Sequence, residues 1–172
     1  MLITSAGANK LLKKLQDEKE HILLQEKQNY TYVLSDVEKS EDIPTYEFET
    51  TNKAIEEIDT KITKIKHAIN VSNTTNKIKI KDNEYSIDMI LVRMAQLNQR
   101  KNTLLNMRNI PLKTRLGART LSNNAMVEYR YANFDVKAAN DAYLKIDAEI
   151  TEMQLALDKY NQTQEFEIDI QL

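Results

Sequence analysis

Arginine gathers in one part of this chain. Between positions 93 and 134 stand Arg93, Arg100, Lys101, Arg108, Lys113, Arg115, Arg119 and Arg130, opposed by one acid, Glu128. The chain as a whole carries a formal charge of −2, so the remainder is acidic. Guanidinium forks hold phosphate oxygens two at a time, and the excess of Arg over Lys suits that contact. Tyr129, Tyr131 and Phe134 lie beside the cations and offer faces on which a base can stack. The candidate binding set is therefore Arg100, Arg108, Arg115, Arg119 and Arg130 with Tyr129, Tyr131 and Phe134. The partner it suits is a small anionic, nucleotide-like ligand. A solvated basic face or an oligomer contact is the competing reading of the same residues. With a pI of about 5.8, the acidic remainder repels a long polyanion, so nucleic acid is not the expected partner.

Little else in the sequence offers chemistry. There is no Cys, which removes thiol nucleophiles, disulfides and thiolate metal centres. The only glycines are Gly7 and Gly117, too few for a phosphate-cradling loop. His21 and His67 are the only histidines. Glu18-Lys19-Glu20-His21 has the Glu-x-x-His spacing of carboxylate-bundle metal sites once, but His67 has Lys64 in the matching place. Asp135, Asp141 and Asp147 alternate with Lys137 and Lys145 and read as a wet face. No catalytic residue, metal or cofactor is expected; binding without turnover is the first expectation, and an enzyme acting on a phosphorylated substrate is a further alternative. Tyr30, Tyr32 and Tyr46 flank the connection between the first two helices, where they line a pocket or cover the helix tips.

The elements that must position these residues are mostly helical. Phe48, Thr51, Ile55, Ile58, Ile62, Ile65 and Ile69 recur at alternating spacings of 3 and 4, a heptad seam. It predicts a helix over 45–70, with Pro44 ahead of its first turn. Ala139, Tyr143, Ile146, Ile150, Met153, Leu157 and Tyr160 repeat the pattern over 136–160, and Asp135 suits its N-cap. Less regular helices are expected over 5–34, on Leu11, Leu12, Leu15, Ile22 and Leu23, and over 87–109, on Ile90, Leu91, Met94, Leu97, Leu104, Leu105 and Met107. Ser86 or Asp88 suits the cap of the latter. Strict alternation marks strands at 77–81 and 165–172, and Asp82-Asn83 turns the first into 84–87. A short strand is expected at 127–131, and 109–125 reads as a long loop.

A shift of 88 residues aligns two stretches. Ile58, Ile62, Ile65 and Ile69 fall on Ile146, Ile150, Met153 and Leu157, while Ile78 and Ile80 fall on Phe166 and Ile168. The expected fold is mostly α: two long antiparallel helical hairpins, four helices in coiled-coil fashion, with a small β-sheet at one end. It forms a single domain over 1–172 built by internal duplication, with half-repeats 1–82 and 83–172. The aligned strands carry opposite charge, Lys77, Lys79 and Lys81 against Glu165, Glu167 and Asp169. Side by side, within a chain or between chains, they would form cross-strand pairs. Four seam helices make a thin core and the last strand leaves an open edge, so a homo-oligomer is expected.

Three blocks carry a resemblance. Ala8 to Leu15 (ANKLLKKL), Ile65 to Thr74 (IKHAINVSNT) and Glu128 to Asp135 (EYRYANFD) resemble a small bacterial and phage family whose members are labelled septicolysin-like or left without a function. The likeness covers nearly the whole chain, and the third block is its most specific part. The family label implies a pore-forming toxin. Against that implication, no apolar run approaches a membrane span and Met1 to Ala6 opens no apolar signal core, so the expected location is the cytoplasm, that of the host if a phage encodes the chain. By analogy of class, small phage proteins of this kind are similar to sponges that withhold a cyclic nucleotide or cyclic ADP-ribose immune signal. A structural or protein-interaction oligomer without a small-molecule ligand is the alternative.

Overall fold

A computed structural model describes residues 1–34, 45–116 and 127–170. Along the chain they form β1 (Leu2–Thr4), α1 (Ser5–Asn29), α2 (Phe48–Thr75), β2 (Lys77–Ile80), β3 (Asn83–Ser86), α3 (Ile87–Arg108), β4 (Lys113–Arg115), β5 (Tyr129–Tyr131), α4 (Val136–Thr163) and β6 (Glu165–Glu167). The protein is mostly helical. In place of one small sheet, the described residues form three separate antiparallel pairs, β1 with β6, β2 with β3 and β4 with β5. The chain divides into two compact units. One is Met1–Asn76 with the chain from Asp158 onward, and the other is Lys77–Leu157.

In the first unit α1 and α2 run in opposite directions. Lys19 Nζ lies 2.6 Å from both carboxylate oxygens of Asp59, and Tyr46, just ahead of α2, reaches Glu26 near the end of α1. Their facing sides bury Ala8, Leu12, Leu15, Ile58 and Ile65, and Ile168 closes the same cluster from beyond β6. Ile62 and Ile69 are half-buried against it. The seam does not reach the start of α2, because Phe48 is 64% exposed. Leu23 likewise leaves the apolar side of α1 for solvent. The Thr4 side chain caps α1 by accepting from the Gly7 N–H at 3.1 Å. Strand β1, with three residues too few to alternate recognisably, pairs Ile3 with Phe166. The ladder continues to Met1, whose carbonyl accepts from the Ile168 N–H at 2.8 Å.

In the second unit β2 and β3 pair Ile78 with Tyr85 and Lys79 with Glu84. The turn begins one residue earlier than expected, at Lys81, whose φ of 54° is left-handed. α3 buries Ile87 and Ile90 in its first turn, then Leu97 and Leu104 at intervals of seven residues. Leu91 and Leu105, expected inside, face water. The Ser86 hydroxyl at the start of α3 donates to Asp88 rather than accepting a cap bond. Asp135 does cap α4, accepting from the N–H groups of Lys137 at 2.8 Å and Ala138 at 3.2 Å. α3 and α4 run oppositely, as Arg93 meets Glu149 at 3.0 Å while Lys101, farther along α3, meets Asp147.

The 88-residue shift carries both ends of α2 onto those of α4. The oppositely charged strands are not ladder neighbours in the chain, since β2 pairs with β3 and β6 with β1. Lys81 instead bridges to Glu152 at 2.7 Å and Asp169 faces Lys64 at 3.6 Å. Pro44 lies outside the described residues.

Candidate functional site

The cationic window builds a short ribbon beyond the end of α3. Bonds from Asn109 to Asn106 and from Ile110 to Met107 close the last helical turn. The chain then extends through Lys113-Thr114-Arg115, where a loop is expected from sequence, and pairs with Tyr129-Arg130-Tyr131. The register sets Lys113 against Tyr131, Thr114 against Arg130 and Arg115 against Tyr129. Bonds from Ala132 N to the Leu112 carbonyl (3.1 Å) and from Leu116 N to the Glu128 carbonyl (2.8 Å) lengthen the ladder at both ends.

Side chains alternate across a strand, so Lys113, Arg115, Tyr129 and Tyr131 share one face, and Thr114 and Arg130 the other. On the first face the two tyrosine rings lie 6.4 Å apart, tilted by 49°. Lys113 Nζ sits 4.0 Å from the Tyr129 ring centre and 5.4 Å from that of Tyr131. The rings remain 43% and 59% exposed, so an open platform of cations and aromatic faces results. At such exposed positions each cation–ring contact contributes about 0.5–1 kcal/mol.

The remaining candidates are placed differently. Arg108, half-buried in the last turn of α3, lays its guanidinium 4.5 Å above the Tyr143 ring. Lys101 approaches the same ring at 5.8 Å and is tied to Asp147, a hydrogen bond that raises its pKa. Arg100 lines a separate groove of about 400 Å³ with Arg93, Leu97, Lys145 and Glu149. Phe134 is half-buried beside the Asp135 cap. Arg119 lies outside the described residues. Thus Arg115, Tyr129 and Tyr131 come together, Arg130 belongs to the opposite face, and Arg100 belongs to the α3–α4 groove. The sequence pattern does not single out Lys113 and Tyr143 as contact residues. Lys113 stands two residues before Arg115, a spacing that signals a shared strand face, while Tyr143 is taken up by the seam.

Glu18, Glu20 and His21 are exposed on α1, and Glu26 accepts the Tyr46 hydroxyl. Among the described residues no three acidic or histidine side chains converge as a metal site would require. No helix in them is long and apolar enough to cross a membrane. Compared with family models, curated proteins and solved structures, the chain gives no match.

Proposed function

We propose that this chain is a non-enzymatic binding protein for a small anionic, nucleotide-like ligand, held on the Lys113/Arg115/Tyr129/Tyr131 face of the β4–β5 ribbon. The observation that carries the reading is a cation seated between two exposed tyrosine rings with a second cation on the same face. A base stacking on the rings takes the place of Lys113, which then turns with Arg115 to the phosphates. Arg108 and Arg130 supply longer-range charge. In its sharpest form the protein is a phage anti-defence sponge that sequesters a cyclic nucleotide or cyclic ADP-ribose signal in the host cytoplasm, a reading that rests on analogy of class with small phage proteins of this kind. Isothermal titration against cyclic dinucleotides and cyclic ADP-ribose isomers tests it. Heat with one member, and its recovery intact after denaturation, is expected. No heat with any member defeats the reading, and recovery of a converted product makes the chain an enzyme.

A second reading, a structural or protein-interaction oligomer, is favoured by the apolar side chains that α3 and α4 leave outside. Val92 is 59% and Leu155 66% exposed. Scattered singly they need no partner, but joined into one patch they mark an interface. Charged β2 and β6 edges of separate copies would add partner selection. Self-association that persists without any bound small molecule supports this reading over the first.

A further inference from the structure

The first unit has an aromatic cleft that the ribbon reading does not use. It lies where α1 ends and α2 begins, has a volume of about 430 Å³, and is lined by Leu23, Glu26, Lys27, Tyr30, Tyr46 and Phe48. Two of its rings are mostly in water, Tyr30 at 58% and Phe48 at 64% exposed. Tyr46 is half-buried and donates its hydroxyl to Glu26 Oε1 at 2.7 Å. That bond fixes the third ring and sets a carboxylate in the wall. Among the described residues no ring of the three stacks on another and none has an in-chain cation above it. The contrast with the second unit is direct, since Tyr129, Tyr131 and Tyr143 each have a lysine or arginine over the face.

Three aromatic residues and one carboxylate lining one cleft are the chemistry that selects an organic cation. Ring faces attract positive charge without demanding hydrogen bonds, so a methylated ammonium group, which has none to give, is better served than a hydrated metal ion. The carboxylate adds attraction for any cation, and Lys27 opposes it. We infer that the cleft formed by Tyr30, Tyr46, Phe48 and Glu26 binds an alkylated ammonium group, the head of a choline-like or methylated amine ligand.

Choline and its neutral isostere 3,3-dimethylbutan-1-ol are the probes, titrated into the full chain at constant ionic strength. Binding is read by saturation transfer from the aromatic protons to the methyl groups. Choline is expected to bind about two- to fivefold more tightly than the isostere, the range an exposed cation–ring contact allows. Tyr30→Ala and Phe48→Leu each weaken choline severalfold. Phe48→Leu keeps an apolar side chain and removes only the ring, so a loss there is not a loss of folding. Glu26→Gln weakens choline and leaves the isostere unchanged, whereas Lys27→Gln tightens choline. Equal binding of the two probes, no binding of either, or full choline binding in Phe48→Leu overturns the proposal. None of these residues belongs to the ribbon, so the outcome is independent of the nucleotide titration.

Discussion

The Ser72 hydroxyl and the Tyr160 hydroxyl lie 2.9 Å apart in a buried contact, and the residues are 88 positions apart in the chain. That separation equals the shift that carries the ends of α2 onto those of α4, so the shift places Ser72 on Tyr160. Asn76 donates to both oxygens, at 3.0 and 2.8 Å, so the small network is satisfied. Tyr160→Phe removes the shared oxygen and strands an Asn76 donor. The expected loss is about 1–2 kcal/mol in denaturant unfolding. Ser72→Ala should cost a similar amount, and the double variant should cost less than the sum of the two.

The core of the first unit rests on the middle of α2 and not on its start. Ile65 is fully buried in the cluster with Ala8, Leu12 and Ile168. Ile65→Ala is expected to cost about 2–5 kcal/mol. Phe48→Ala, on the same heptad seam, should change stability by no more than about 0.5 kcal/mol. Urea titration of the two variants checks the contrast, and equal costs would place Phe48 in the core after all.

Removing the Asp135 carboxylate leaves the Lys137 and Ala138 amides at the start of α4 without their side-chain acceptor. Asp135→Ala should destabilise by about 1 kcal/mol, and Asp135→Ser should recover most of it. Thermal unfolding followed by circular dichroism reads both.

Alkaline pH should weaken the second unit through two lysines. The hydrogen bond to Asp147 raises the pKa of Lys101, and that to Glu152 raises the pKa of Lys81. A folded-state pKa above the unfolded value means that the contribution is complete below the ordinary lysine value near 10.5 and is lost as pH rises through the folded value. Tyr46, raised by its hydrogen bond to Glu26, follows the same sign in the first unit. Stability should therefore fall above about pH 10, where lysine and tyrosine titrate. The fall should be shallower in Lys81→Met/Lys101→Met, and an unchanged profile in that variant would mean that these pairs contribute nothing to it.

On the ribbon, the two faces predict unequal arginines. Arg115 shares the tyrosine face and Arg130 does not. Arg115→Ala and Tyr129→Ala should each lower ligand affinity about tenfold, given about 1–3 kcal/mol for a stacked base. Arg130→Ala should change it by less than about threefold, the size of a screened, distant charge. Calorimetry with whichever nucleotide binds the parent protein separates the two.

The helices were legible in the sequence because a 3,4 spacing of Ile and Leu keeps one face of a helix apolar and suits no strand, and α2 and α4 appear where the seams place them. Their outer residues were not, since the pattern cannot distinguish a seam that ends from one that continues, as Phe48 shows. β1 and β4 left no trace for a related reason. Lys113-Thr114-Arg115 buries no side chain, and its strand exists through backbone bonds to Tyr129-Arg130-Tyr131. Of the binding set, the charge excess and the neighbouring tyrosines were readable, because composition survives folding. Which arginine faces which ring was not, because one residue of register decides it.

The β1–β6 pairing has a mechanical consequence. Met1 and Ile168 lie side by side at the same end of the ladder, with the Met1 ammonium donating to the Ile168 carbonyl at 2.7 Å. Tension applied between these two points loads the rungs one after another, as in a zipper, and not all together as in shear. The strands should peel apart at low force, drawing Ile3 and Ile168 out of the first unit before either long helix bears any load.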